Sequence, residues 1–282
     1  MRVAFLHTLR EAFQRRMSLV LLAVCLISAI FYVIQFRFET GPDGQVTVPA
    51  VMEQREVLPD GQVVSRTVVI QRPLHLFMNE NMPGQLNFTG FFWLILGALA
   101  AVPLITSFHE TGWVELLVSK NISRWELLLG RYLAAFAQFA AALLLVCGVP
   151  ALHVWMGTGI STLPFLKGVV LILFGYACTL AFSTLLAVLQ PSVGLVAVVT
   201  FAQLGLSPVL AQRQDQFKEL PSVRVIADFL YHVLPKNDEL RRMSIDVFYS
   251  NPVESWAPLW SSAIFLVVTL AAACLIFQRK SL

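Results

Sequence analysis

The side chains best placed to do chemistry, or to bind a partner that does, lie between two apolar runs. That segment reads His109-Glu110-Thr111-Gly112-Trp113-Val114-Glu115-Leu116-Leu117-Val118-Ser119-Lys120-Asn121-Ile122-Ser123-Arg124-Trp125-Glu126-Leu127-Leu128-Leu129-Gly130-Arg131. A short surface helix holding Glu115-Leu116-Leu117 breaks at Lys120-Asn121 and exposes Trp113, Leu116 and Leu117, which calls for a protein partner. Ser123 followed three residues later by Glu126 has the spacing of a capping box, so a new helix starts there, oriented by Arg124, and runs into the next apolar run. The chemistry this predicts is recognition of a protein; the alternative is a solvated loop with ordinary caps.

Reaction chemistry has little to work with elsewhere. No carboxylate falls inside an apolar run, and no serine lies near a histidine at membrane depth, so an intramembrane enzyme lacks both paired acids and a nucleophile–base pair. Cys25, Cys147, Cys178 and Cys274 each sit in apolar sequence, which predicts small buried hydrophobes and neither disulfides nor a thiolate metal site. The chain has no G-x-x-x-x-G-K-[ST] phosphate loop, and therefore no ATP site of its own by that motif. A net charge of +3 gives no basic excess for nucleic acid.

The elements that must position the connector are membrane spans. Of 282 residues, 57% are hydrophobic and 13% charged, which excludes a water-soluble fold. A hydrocarbon core of about 30 Å needs roughly 20 apolar residues of helix. Six spans are predicted, at 17–36, 86–108, 129–156, 165–189, 193–212 and 255–277, the fourth and fifth parted by Gln190-Pro191-Ser192. The first run is too long for the roughly 7–15-residue core of a cleaved signal peptide. An even count puts both termini on one side. Arg2, Arg10, Arg15, Arg16, Lys120, Arg124, Arg131, Arg279 and Lys280 make that side cytoplasmic, although the opposite segments carry more cations, mostly in longer loops that cross regardless of charge.

The remaining segments have their own patterns. Residues 1–16 put Phe5, Leu6, Leu9 and Phe13 on one helical stripe, predicting a helix lying on the cytoplasmic leaflet. Residues 37–85 repeat Pro-Asp-Gly-Gln-Val at 42–46 and 59–63 among β-branched residues, predicting β-hairpins outside the membrane, as a spacer or as a partner-binding module. Residues 213–254 predict two amphipathic helices on the outer interface, the second capped by Asn237; residues 278–282 are a cytoplasmic tail. His153 and Trp155 read as interfacial aromatics, Arg131 and Lys167 as snorkelling cations, and Gly97, Gly148, Gly175 and Gly194 as sites of close helix approach. Pro103, Pro150 and Pro208 fall within spans. The predicted fold class is an all-α polytopic membrane protein of six transmembrane helices, with an N-terminal interfacial helix and a small extracytoplasmic β-hairpin insertion between the first two.

The pattern E-x-G-x-x-E-L-L-x-S-x-x-I-S-R-W-E-L-L-L-G-R at 110–131 resembles the cytoplasmic segment of ABC-2-type transporter permeases. The six-span layout and the helices between spans five and six resemble that family too, while the large 37–85 loop departs from its simplest members. The resemblance implies a permease subunit in a bacterial cytoplasmic membrane. Its ATP and Mg would be bound by two copies of a separate ATPase, with no cofactor on this chain. The coupling segment would be 109–128, with Glu110, Gly112, Trp113, Glu115, Leu116, Leu117, Ser119, Ile122, Ser123 and Arg124 as contact and capping residues. A second permease chain would complete a homodimer or heterodimer, and apolar spans suit a lipidic or amphipathic cargo, most simply exported. The other reading it leaves open is a non-transporting subunit that relays ATPase motion to an extracytoplasmic protein through 37–85.

Overall fold

The computed structural model describes residues 5, 6, 8, 10, 16–35, 37–40, 46–57, 63–107, 123–190 and 192–279, and the architecture is that of these residues. Five helical stretches among them are long and apolar enough to cross a membrane: Asn81–Thr106, Arg124–Thr158, Leu163–Leu189, Val193–Ala211 and Ala257–Arg279. A further helix, α1 (Arg16–Gln35), is apolar over Ser18–Ile34. The chain is a multi-pass membrane protein.

After α1, strand β1 (Glu39–Thr40) begins a three-stranded antiparallel sheet in the order β1-β2-β3. Strands β2 (Val46–Val57) and β3 (Val63–Pro73) pair from Val57 opposite Val63 to Thr47 opposite Pro73. The irregular segment expected up to residue 85 ends earlier. Helix α2 (Leu74–Phe88) follows Pro73 directly and continues through a π turn, Thr89–Trp93, into α3 (Leu94–Thr106). Pro83 and Gly84 read as loop punctuation, yet Met82 and Leu86 on either side are fully buried, and that burial holds the helix through them.

Past the connector, α4 (Arg124–Leu143), a π segment at Leu144–Gly148 and α5 (Val149–Thr158) form one continuous rod. Pro150 interrupts the hydrogen-bond ladder inside this rod, and the Val146 carbonyl four residues back accepts instead from Gln85 Nε2 at 3.1 Å. The rod ends at Gly159, whose φ of 72° is left-handed and whose N–H bonds the Trp155 carbonyl at 2.8 Å. Phe38, just before the sheet, packs its ring 5.1 Å from that of His153 and lies against Gly157. The root of the sheet and the end of α5 therefore share one end of the bundle.

Helix α6 (Leu163–Leu189) is the centre of the fold, flanked by α3, α4, α7 (Val193–Ala211), α9 (Asn237–Phe248) and α10 (Ala257–Arg279). Small residues allow this. Ser183 and Thr200 hydroxyls bond at 3.0 Å between α6 and α7, and the Cys178 thiol donates to the Ser262 carbonyl of α10 at 3.4 Å. Ser183 and Thr200 thus fasten two helices. Phe139 of α4 stacks on Tyr176 of α6 with ring centroids 3.7 Å apart, and Tyr176 donates to the Gly97 carbonyl of α3 at 3.2 Å.

Two of the four glycines assigned to close approach behave so. A Cβ on Gly97 would stand 2.3 Å from the Phe139 ring, and one on Gly175 would stand 3.2 Å from the Asn237 side chain; Gly148 and Gly194 face open space. Gly97→Ala should therefore cost about 1–3 kcal/mol by overpacking and lower the unfolding temperature in detergent. Gly148→Ala should leave that temperature unchanged or raise it. Equal unfolding temperatures for the two variants would remove close packing at Gly97 as the cause.

Candidate functional site: the connector ends and the inserted helix

Glu110, Gly112, Trp113, Glu115, Leu116, Leu117, Ser119 and Ile122 lie outside the described residues, as do Leu9 and Phe13 of the N-terminal stripe. Phe5 and Leu6 are helical, with Leu6 exposed. What the structure places are the two ends of the connector. Ser107 closes α3. Ser123 precedes α4 as its N-cap in extended backbone, with Arg124 as the first helical residue. The Glu126 carboxylate accepts from the Ser123 backbone N–H at 3.2 Å, which satisfies a donor at a helix start.

Arg131 corrects the sequence reading. It does not snorkel to a headgroup: it is only 3% exposed, and its guanidinium crosses from α4 to the end of α3. There Nη1 donates to the Leu104 carbonyl at 3.2 Å and to Ser107 Oγ, while Ser107 Oγ donates to the same carbonyl at 2.8 Å. Leu104 carries one of the last four carbonyls of α3, which no helical N–H can satisfy and where the helix dipole is negative. A cation inside an otherwise uncharged run was the available signal for such a role. Lys167, by contrast, is exposed.

At the other end of the bundle the two interfacial helices separate in character. Helix α8 (Pro221–Val233) keeps Ile226, Phe229 and Val233 exposed and buries only Ala227. Helix α9 does not lie on the surface: it inserts among α6, α7 and α2. Its Asn237 is no cap, because Lys236 holds that position. Asn237 is 5% exposed and donates to Thr179 Oγ1 at 2.8 Å, beside Gly175. Gly175 lies about 18 Å along α6 from Leu163 at ~1.5 Å per residue, so α9 reaches deep into the bundle.

A polar helix can insert there because its charges are neutralised locally. The Asp238 carboxylate, 3% exposed, receives Arg241 Nη2 at 2.6 Å and Arg242 Nε at 2.9 Å, and the Asp238 N–H donates to Ser207 Oγ of α7 at 3.0 Å. Arg241 also reaches Asn87 of α2 and lies over Gly90, where a Cβ would clash with it. The i, i+3 and i, i+4 spacing of Asp238, Arg241 and Arg242 is the sequence signal for this cluster.

Outside the spans, Tyr231 donates to Glu239 Oε1 at 2.5 Å beneath the Arg213 guanidinium, 3.4 Å from the ring centre. Burial, then the Glu239 carboxylate, pushes its phenol up to about 12. Arg213 in turn pairs with Asp228 at 2.6 Å. Beside them opens a cleft of about 640 Å³, lined by Glu239, Asp246 and Glu254 on one hand and Met243, Val253 and Pro258 on the other.

Asp238→Asn should cost about 1–3 kcal/mol, because it removes the charge that two guanidiniums share while both still reach some water. The expected readout is a lower unfolding temperature in detergent. An unchanged temperature would mean that the cluster is not what holds α9 in place.

A family model described as ABC-2 family transporter protein matches residues 8–282. No curated protein matches the chain.

Proposed function

The chain belongs to the ABC-2 family of transporter proteins, and from that membership we propose that it is the transmembrane permease subunit of an exporter powered by a separate ABC ATPase. ATP and Mg are bound by two copies of that ATPase, and the permease chain pairs with a second copy of itself or a similar chain. Both termini face the cytoplasm of a bacterial cell. Six spans are needed for this topology. Helix α1, with 20 residues and about 30 Å of rise, is long enough to be the first of them.

The observation that carries this reading is the connector. Its residue pattern at 110–131 offers carboxylates, a tryptophan and an adjacent leucine pair to a protein partner, and its ends join two spans that Arg131 ties together. A segment displaced by an ATPase transmits force only where its ends do not swing freely, and these do not. The ATPase groove would take Glu110 and Glu115 as polar contacts and Leu116 and Leu117 as apolar ones, with Gly112 and Trp113 at the entry and Ser119 and Ile122 at the exit. ATP-dependent closure then tilts the spans against those of the second chain.

An amphipathic or lipidic cargo is supported by spans whose interiors carry no carboxylate and by the cleft beside α9, which joins apolar walls to charged ones, Arg242 among Glu239, Asp246 and Glu254. A second reading is favoured by the sheet. Strands of 12 and 11 residues extend about 35–40 Å, long enough to meet an extracytoplasmic protein and hand it the ATPase motion without moving a solute.

Purification of the tagged chain from its native host in mild detergent, with mass spectrometry of what accompanies it, tests the proposal. A Walker-motif ATPase should accompany the unaltered chain and drop by about tenfold or more with Glu115→Arg, as a reversed charge at an interface loses several kcal/mol. An ATPase retained equally by both removes Glu115 from the contact. Its absence from both, with the chain intact, overturns the permease reading.

A further inference from the structure

Force delivered to a loop between two helices is absorbed if either end hinges. At the α3–α4 connector the end of α3 is built against hinging. Leu104 and Ile105 are fully buried, Thr106 Oγ1 bonds back to the Val102 carbonyl at 2.9 Å, and Ser107 Oγ bonds back to Leu104. The start of α4 is fixed at Ser123 by Glu126, and Leu127 and Leu128 are buried one turn later. The Arg131 guanidinium joins these two ends: it stands two turns into α4, about 12 Å from Ser123, and bonds the final turn of α3.

The type of residue fits the task. A guanidinium presents donors in a rigid planar fork, stays charged at any accessible pH and is weakly hydrated, so it can be buried against carbonyl and hydroxyl oxygens. Its charge faces the negative end of the α3 dipole. A lysine would keep the charge but would offer a single, strongly hydrated point on a flexible stem.

Resting on the coupling role proposed for the connector, we infer that Arg131 is the positioning residue that makes α3 and α4 move as one body when residues 108–122 are displaced. Without it the connector still binds the ATPase, but its displacement is spent at the α3 end and does not reach α4. Arg131 is a positioning residue that acts through Leu104 and Ser107 among the described residues.

The experiment uses the full complex in lipid nanodiscs, purified with its ATPase, in a Cys274→Ser background that removes the one partly exposed cysteine among the described residues. Spin labels go on Leu144→Cys of the α4 rod and Val267→Cys of α10, both well-exposed positions. The distance between them is read by pulsed electron resonance without nucleotide and with ATP and vanadate. The unaltered Arg131 should show a nucleotide-dependent shift. Arg131→Ala should keep the ATPase bound and hydrolysing while the shift falls by about fivefold or more, Arg131→Lys should restore part of it, and Ser107→Ala should reduce it to a lesser degree. Should Arg131→Ala fail to fold, Ser107→Ala carries the test alone, since it removes one bond of the clamp and leaves the buried cation in place.

A shift of unaltered size in Arg131→Ala or, where that variant does not fold, in Ser107→Ala overturns the inference and leaves the coupling reading standing. Arg131→Ala that sheds the ATPase also overturns it, because the residue would then shape the docking surface itself. No nucleotide-dependent shift in the protein with Arg131 intact overturns both.

Discussion

A polar helix is held at depth in a bundle in lipid where another part of the chain completes its hydrogen bonds, and that constraint seats α9 in this protein. Helix α6 meets it by being thin. Gly168 lies against the Ser244 carbonyl, Gly175 against Asn237, and Thr179 accepts the Asn237 amide, so a polar helix can lie against α6 within bonding distance. Bulkier residues at these positions would hold α9 off and leave the Asn237 amide without its partner on α6, at a cost of about 1–3 kcal/mol. The same close approach seats the Phe139–Tyr176 stack over Gly97 and joins α3, α4 and α6.

Two charged devices sit at opposite ends of this frame. Asp238 with Arg241 and Arg242 holds α9 inside the end that bears the sheet, and Arg131 binds α3 to α4 at the end that bears the connector. Each uses arginine, whose fork can meet two acceptors at once. Between them the described residues carry no charge, and Cys25, Cys147 and Cys178 are buried as small hydrophobes. A displacement at one end therefore has a continuous packed route through α3, α4 and α6 to the other, with few soft elements along it apart from the π segments at 89–93 and 144–148. For a transporter this is a useful arrangement, because rigid spans convert a small push into a tilt.

The sequence is most informative where one property dominates. Long uncharged runs mark apolar helices, and the polar break at Gln190 and Ser192 separates α6 from α7. Ser123 and Glu126 announce the start of α4 three residues apart. Legibility fails where a residue has two plausible uses and only tertiary contacts choose between them. Asn237 follows Pro235 as a cap would, yet the neighbouring surface of α6 has room for its amide and draws it inward. Arg131 stands near a span end as a snorkelling cation would, but its guanidinium bonds the Leu104 carbonyl, which no helical N–H satisfies. Pro83 and Gly84 look like a loop until Met82 and Leu86 are seen buried around them. The resemblance of 110–131 to a coupling segment is legible from residue types alone, whereas what couples its movement to the spans depends on contacts that no spacing rule encodes.

If an ATPase grips the connector, α3 and α4 should receive its motion, and a cryo-electron microscopy structure of the protein purified from its native host with any bound ATPase tests this directly. The ATPase groove is expected to close around residues 108–122, with Glu115 and the Leu116-Leu117 pair inside it and Arg131 still bonded to the end of α3. An ATPase docked only on another surface, or a connector with nothing bound to it, would contradict this coupling.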